Sequence, residues 1–183
     1  MNVDAGAIEN ARAGGERLDE LIAAIWPDAY RLAFGVLHDR GLAEDAAQEA
    51  CAAIARGLPA LKSATAFRTW TYRIITNHAI STARARPKTR DLQAAGDRAV
   101  TYDPSDALDL LTALARLPIA QRVAVILHYY AGMNSGEIAS ATGLSAATIR
   151  FHLMLARRTL RKALSAESTG MNSNPREVTS DVR

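Results

Sequence analysis

Apolar positions recur every three to four residues through most of this chain. Leu18, Leu21, Ile22 and Ile25 open the first run, Pro27 is expected to interrupt it, and Tyr30, Ala33, Phe34 and Leu37 resume it. Asp39 and Gly41 punctuate ahead of a second helix expected over 42–56, which would bury Ala46, Ala50, Ala53 and Ile54 before Gly57 and Pro59 end it. A third is expected from about Thr65 through Arg84, stopped by Pro87, with Phe67, Trp70 and Ile74 inward. Further on, the pattern predicts a helix over 107–116, a break at Pro118, a helix over 119–130 and a turn at Gly132. No alternating run of valine, isoleucine and threonine marks a strand. The predicted fold class is all-α, with two small helical domains joined by a flexible linker.

The boundaries follow from where the periodicity lapses. Residues 1–17 are rich in alanine and glycine and read as a flexible N-terminus, and 18–87 form the first domain. Residues 88–106 lose hydrophobicity and alternate in charge, with Asp103, Pro104 and Ser105 as a turn, and read as a linker long enough to let two domains sit far apart. Residues 107–165 form the second domain, and the serine- and asparagine-bearing tail 166–183 is expected to be disordered.

Within the second domain, 135–164 read as two helices around a tight turn. Ala139 allows close approach, Gly143 supplies the left-handed residue, Ser145 caps the next helix and Ile149 closes the angle. With Ile138, Leu144 and Leu153 inward, Thr148, Arg150, Phe151 and Arg157 face elsewhere. This is a helix-turn-helix pattern, and such a unit holds its second helix out for DNA.

Charge sharpens that picture. The net value is only +3, but it is unevenly placed. Ten acids lie within 1–49, whereas 50–90 hold none and carry Arg56, Lys62, Arg68, Arg73, Arg84, Arg86, Lys88 and Arg90. Between Leu110 and Ala166 the only acid is Glu137, against a set that includes Arg116, Arg122, Arg150, Arg157, Arg158, Arg161 and Lys162. Two basic blocks predict two polyanion contacts, and the acidic block a separate partner. The single cysteine, Cys51, excludes an internal disulfide and a cysteine-based zinc finger, and the four histidines are too dispersed for a local metal site. No cofactor, no metal and no enzyme activity are expected. Neither a signal segment nor a membrane-spanning run is read, and a cytoplasmic location is expected.

Two further constellations stand out. Asp45, Gln48 and Glu49 share one helical face at i, i+3 and i+4, an acidic and adhesive surface rather than a catalytic one. Arg73, Asn77, Ser81 and Arg84 form a polar stripe beside Phe67, Trp70 and Ile74, which suits melted nucleic acid. With these in place, the segments AEDAAQEA (43–50), FRTWTYRIITNHAISTARAR (67–86) and 117–164 resemble the extracytoplasmic-function (ECF) group of sigma-70 family RNA polymerase sigma factors. The likeness runs over 18–164. It implies that Asp45, Gln48 and Glu49 dock on core RNA polymerase. It also implies that Trp70, Asn77, Arg84 and Arg86 capture the minus-ten promoter element, and that Thr148, Arg150, Phe151 and Arg157 lie on the helix that meets the minus-thirty-five element. Arg73, Arg122 and Arg158 are expected as further DNA-binding residues. The linker would thread toward the polymerase cleft, and an anti-sigma protein is an expected partner.

The chain departs from the family pattern at Ser81, where an aspartate is common, and at Arg84, Ala85 and Arg86, where the basic cluster is thinned. Phe151 and His152 replace a polar and basic pair, and a phenylalanine packs on thymine methyl groups but donates no hydrogen bond. Two alternatives stay open at this level: a sigma-like decoy that binds an anti-sigma protein without DNA, and an autonomous helix-turn-helix repressor.

Overall fold

The computed structural model describes residues 3–85 and 104–170. Arg86, most of the expected linker and the tail from 171 lie outside the described residues. The first helix, α1 (Ala5–Ala11), starts where the Asp4 carboxylate accepts from the Gly6 amide at 2.9 Å. These residues read as flexible in the sequence, yet Ile8 and Ala11 are buried against α2 (Glu16–Leu37). Arg12 fastens the corner through Glu9 at 3.0 Å and the Leu61 carbonyl. A lone isoleucine in a polar stretch carries no period, so only the packed structure shows its place.

Helix α2 passes through Pro27 without the expected interruption. A proline in a helix interior costs about 3 kcal/mol through a lost hydrogen bond and a crowded turn. Here Pro27 is exposed while Ile25 and Ala29 beside it are wholly buried, so packing on both flanks holds the backbone helical. The helix ends at His38, which takes the left-handed conformation (φ 53°) and donates its amide to the Phe34 carbonyl at 2.8 Å. Asp39 then caps α3 (Arg40–Gly57), its Oδ1 accepting from the Leu42 amide at 3.0 Å. Ala43, Ala46, Ala47 and Ala50 make a small-residue face on α3 that brings α2 and α4 (Phe67–Ala85) close.

The second half begins with α5 (Pro104–Ala115) and α6 (Ile119–Val125). The chain then widens into a π-helical turn, Ile126–Tyr130, closed by the Ala131 amide donating to the Ile126 carbonyl at 3.1 Å. Asn134 and Glu137 form a capping box that starts α7 (Ser135–Thr142): Asn134 Oδ1 accepts from Gly136 and Glu137, and Glu137 Oε2 accepts from the Asn134 amide. Gly143 has the expected positive φ (73°), and Ser145 Oγ accepts from the Thr148 amide at 3.0 Å at the head of α8 (Ala146–Gly170). Ile138, Ile149, Leu153 and Ala156 are buried. Leu144, expected with them, is 41% exposed, because it sits in the turn just beyond Gly143 and belongs to neither inward stripe. Helix α8 also continues past 165, where the tail was expected to begin, to Gly170.

The two halves share one core rather than standing apart. Ile126 lies over Gly35, where an added Cβ would come 2.9 Å from its Cδ1, and α4 packs on α7. Arg68 donates to the Ala131 carbonyl and pairs with Glu137 at 3.3 Å, and the Tyr130 hydroxyl donates to Asp28 at 2.6 Å. Among the described residues there is no strand, and the helical class expected from the periodicity is the one observed.

Candidate nucleic-acid and partner surfaces

Helix α3 turns Asp45, Gln48 and Glu49 to solvent because its opposite side is buried alanine. The three lie together on one open face, with Glu44 beside them. Trp70 on α4 is half-buried and sits against Gly57, where a Cβ would come 2.8 Å from the ring, and its ring centre is 6.2 Å from that of the buried Phe67. It braces α4 on the end of α3. Arg73, Asn77, Ser81 and Arg84 are all exposed along the outer side of the same helix, opposite Tyr72, Ile75, Thr76 and Ala79 in the core. The stripe read from spacing is therefore a continuous polar face of about three turns.

Arg122 departs from its expected place. Its guanidinium turns inward and donates to the carbonyls of Leu114 (2.9 Å), Ala115 (2.6 Å) and Leu117 (3.0 Å), and also to that of Val36, with His38 Nδ1 at 3.4 Å. Carbonyls at and just beyond the end of α5 draw it in, and it staples α5 and α6 to the end of α2. Burial first, and the neighbouring guanidinium second, lower the His38 pKa to about 4. Spacing alone could not separate this arginine from the outward-facing ones.

On α8 the outward side carries Arg150, Phe151, Arg157 and Arg158. Thr148 is half-buried, and its hydroxyl lies 2.8 Å from Ser145 Oγ in the cap. Arg157 donates from Nε to the Tyr129 hydroxyl at 2.8 Å, stacks over that ring at 5.7 Å and has His128 Nε2 at 3.4 Å. His128 is oriented by donating from Nδ1 to the Met133 carbonyl at 2.9 Å. Sequence reading missed Tyr129 and Asn134, although Asn134 three residues before Glu137 is a legible capping signal. Because α8 runs on to Gly170, Arg157 and Arg158 are not in its last turn, and a helix-dipole role does not account for them. Among the described residues no group of histidines, cysteines and acids could hold a metal ion, and no helix is long and apolar enough to cross a membrane.

Comparison with known proteins places both halves. The family model described as sigma-70 region 2 matches residues 21–89, and that described as sigma-70, region 4 matches residues 107–160. The ECF RNA polymerase sigma factor SigM of Mycobacterium tuberculosis is 28% identical over 169 residues, covering 88% of this chain and 85% of its own. Among solved structures, the fold is similar to the sigma factor RpoE in complex with the anti-sigma factor NepR from Bartonella quintana. That match has a TM-score of 0.70 and 20% identity, over 82% of this chain and 98% of that one. It is also similar to CnrH in complex with the cytosolic domain of CnrY, with a TM-score of 0.68 and 22% identity, over 90% and 99% of the two chains.

Proposed function

The chain belongs to the sigma-70 family of RNA polymerase sigma factors, in the ECF group, and on that premise we propose how its surfaces divide the work. It binds core RNA polymerase and directs promoter-specific initiation of transcription. The observation that carries the division is that three chemically different faces are all open on one helical body: acidic on α3, polar and basic on α4, basic with apolar residues on α8. The α3 face, Asp45, Gln48 and Glu49, docks on the polymerase. Arg73, Asn77, Arg84 and Arg86 hold the melted minus-ten strand, with Trp70 bracing α4. Arg150, Phe151, Arg157 and Arg158 meet the minus-thirty-five element, Thr148 stands at that edge, and Arg122 serves the fold.

Discrimination arises from a few base contacts of about 1–3 kcal/mol each, laid on a salt-dependent phosphate attraction. No covalent step is assigned to the protein, and it works in the cytoplasm where the polymerase is. An anti-sigma protein is its proposed restraint, a reading supported by the complexes in which the two structural neighbours were solved.

The test is transcription in vitro with purified core polymerase on a promoter library. Asp45→Ala with Glu49→Ala is expected to weaken core binding at least tenfold and abolish specific initiation, while the isolated protein stays folded. Unchanged core binding in that variant would remove the acidic face from the account. Tight capture by an anti-sigma protein with no promoter-dependent transcription would favour the decoy reading instead.

A further inference from the structure

Helix α8 places Ala147, Phe151, Met154 and Arg158 at i, i+4, i+7 and i+11, along the middle of its outward side. The opposite side is the buried set Ile149, Leu153 and Ala156. Phe151 is 53% and Met154 55% exposed, unusually open for side chains of that size. Single exposed apolar residues are ordinary on protein surfaces. Two large ones adjoining on the centre line of a helix otherwise edged by arginine are a different matter.

The charge around the stripe names its occupant. Arg150, Arg157 and Arg161 border one side and Arg158 closes its C-terminal end. Arg157 is held by Tyr129 and His128, which fixes its guanidinium at the margin, where a phosphate would lie, rather than on the centre line. In helix-turn-helix proteins the N-terminal part of this helix reaches the base edges. Here the centre line of that part offers a methyl, a phenyl ring and a thioether, none of which reads a base by hydrogen bonding, with the exposed Arg150 beside it as the hydrogen-bonding group. The apolar feature a major groove presents is the thymine 5-methyl group. From Ala147 to Met154 the helix rises about 10 Å, roughly three base-pair steps.

We propose that Ala147, Phe151 and Met154 form an apolar reading stripe that selects two or three consecutive thymines in the upstream promoter element through their methyl groups. The proposal rests on the sigma reading above and adds the chemical basis of its sequence choice. Met154 is a specificity residue on this account, equal in rank to Phe151.

The experiment uses the full chain with core polymerase. Duplexes randomised across the upstream element are selected for binding, and the expected winners carry a run of thymines on one strand. Replacing those thymines by uracil keeps every pairing and hydrogen-bonding group and removes only the methyls. Binding is expected to fall about fourfold for each methyl lost. The double variant Phe151→Ala, Met154→Ala is expected to bind thymine and uracil duplexes alike, with its fold checked by circular dichroism. Equal binding of the two duplexes by the unaltered protein overturns the proposal, as does an undiminished thymine preference in the double variant. No promoter selection at all by the unaltered protein with core polymerase would overturn the sigma reading together with it.

Discussion

His38 concentrates several constraints in one residue. It ends α2 in the left-handed region, where a residue with a Cβ is strained, and it is pressed against the Arg122 guanidinium. Its pKa is lowered from 6.5 to about 4, chiefly by burial. The unfolded chain therefore takes up a proton near pH 6.5 while the folded protein resists until about 4. The folded state is penalised progressively as pH falls through that window, and not above it. The thermal midpoint should drop between pH 6.5 and 4, more steeply than in His38→Asn. Asparagine tolerates the same backbone and does not titrate. Equal pH profiles for the two proteins would remove His38 as the source.

At the scale of elements, caps and staples separate what was legible from what was not. Gly143 and Ser145 were readable because a turn leaves few chemical choices, and both do what their chemistry requires. The core of α3 was nearly as plain, with Ala46, Ala50 and Ile54 buried and Ala53 half-buried, whereas on α4 only Phe67 of the expected inward set is buried: Trp70 and Ile74 flank the core, and Tyr72, Ile75 and Ala79 fill it. Pro27, Leu144 and Arg122 were not, for one shared reason. Each is decided by the folded geometry rather than by spacing: the two-sided packing of α2, the path of the turn beyond Gly143, and the meeting of the end of α5 with the end of α2 around Arg122. The site stripe on α4 could be drawn from spacing, but nothing local distinguished Arg122 from Arg150. Replacing Arg122 with methionine should therefore lower stability by about 2–4 kcal/mol, through loss of its charged hydrogen bonds to the Val36, Leu117 and Ala115 carbonyls, as read by urea unfolding. Promoter affinity of the folded variant at low temperature should change less than twofold. A large loss of affinity with unchanged stability would return Arg122 to the DNA surface.

The described residues of the whole molecule form a closed body, with α4 against α7 and Tyr130 reaching Asp28. A compact chain of this length is about 40 Å across. Elements centred near minus ten and minus thirty-five lie about 25 base pairs apart, roughly 85 Å along B-form DNA. On the proposed division of surfaces a closed body of that size cannot hold both elements, and the halves are expected to part when the polymerase is bound. Dyes on Lys62→Cys and Ser140→Cys, both exposed positions on opposite halves, should show high transfer in the free protein and a marked fall on adding core polymerase. Cys51 would not take the label, being buried with its thiol pKa pushed up by that burial. Persistent high transfer in the complex would argue that the closed form is the working one. The Arg68–Glu137 contact also sets an order in time. Glu137 is made 52 residues after Ala85 completes α4. At about 5–20 residues per second the ribosome needs ~3–10 s to supply it. Each newly made molecule thus passes through an interval in which α1 to α4 have been made and the partner that Arg68 pairs with has not.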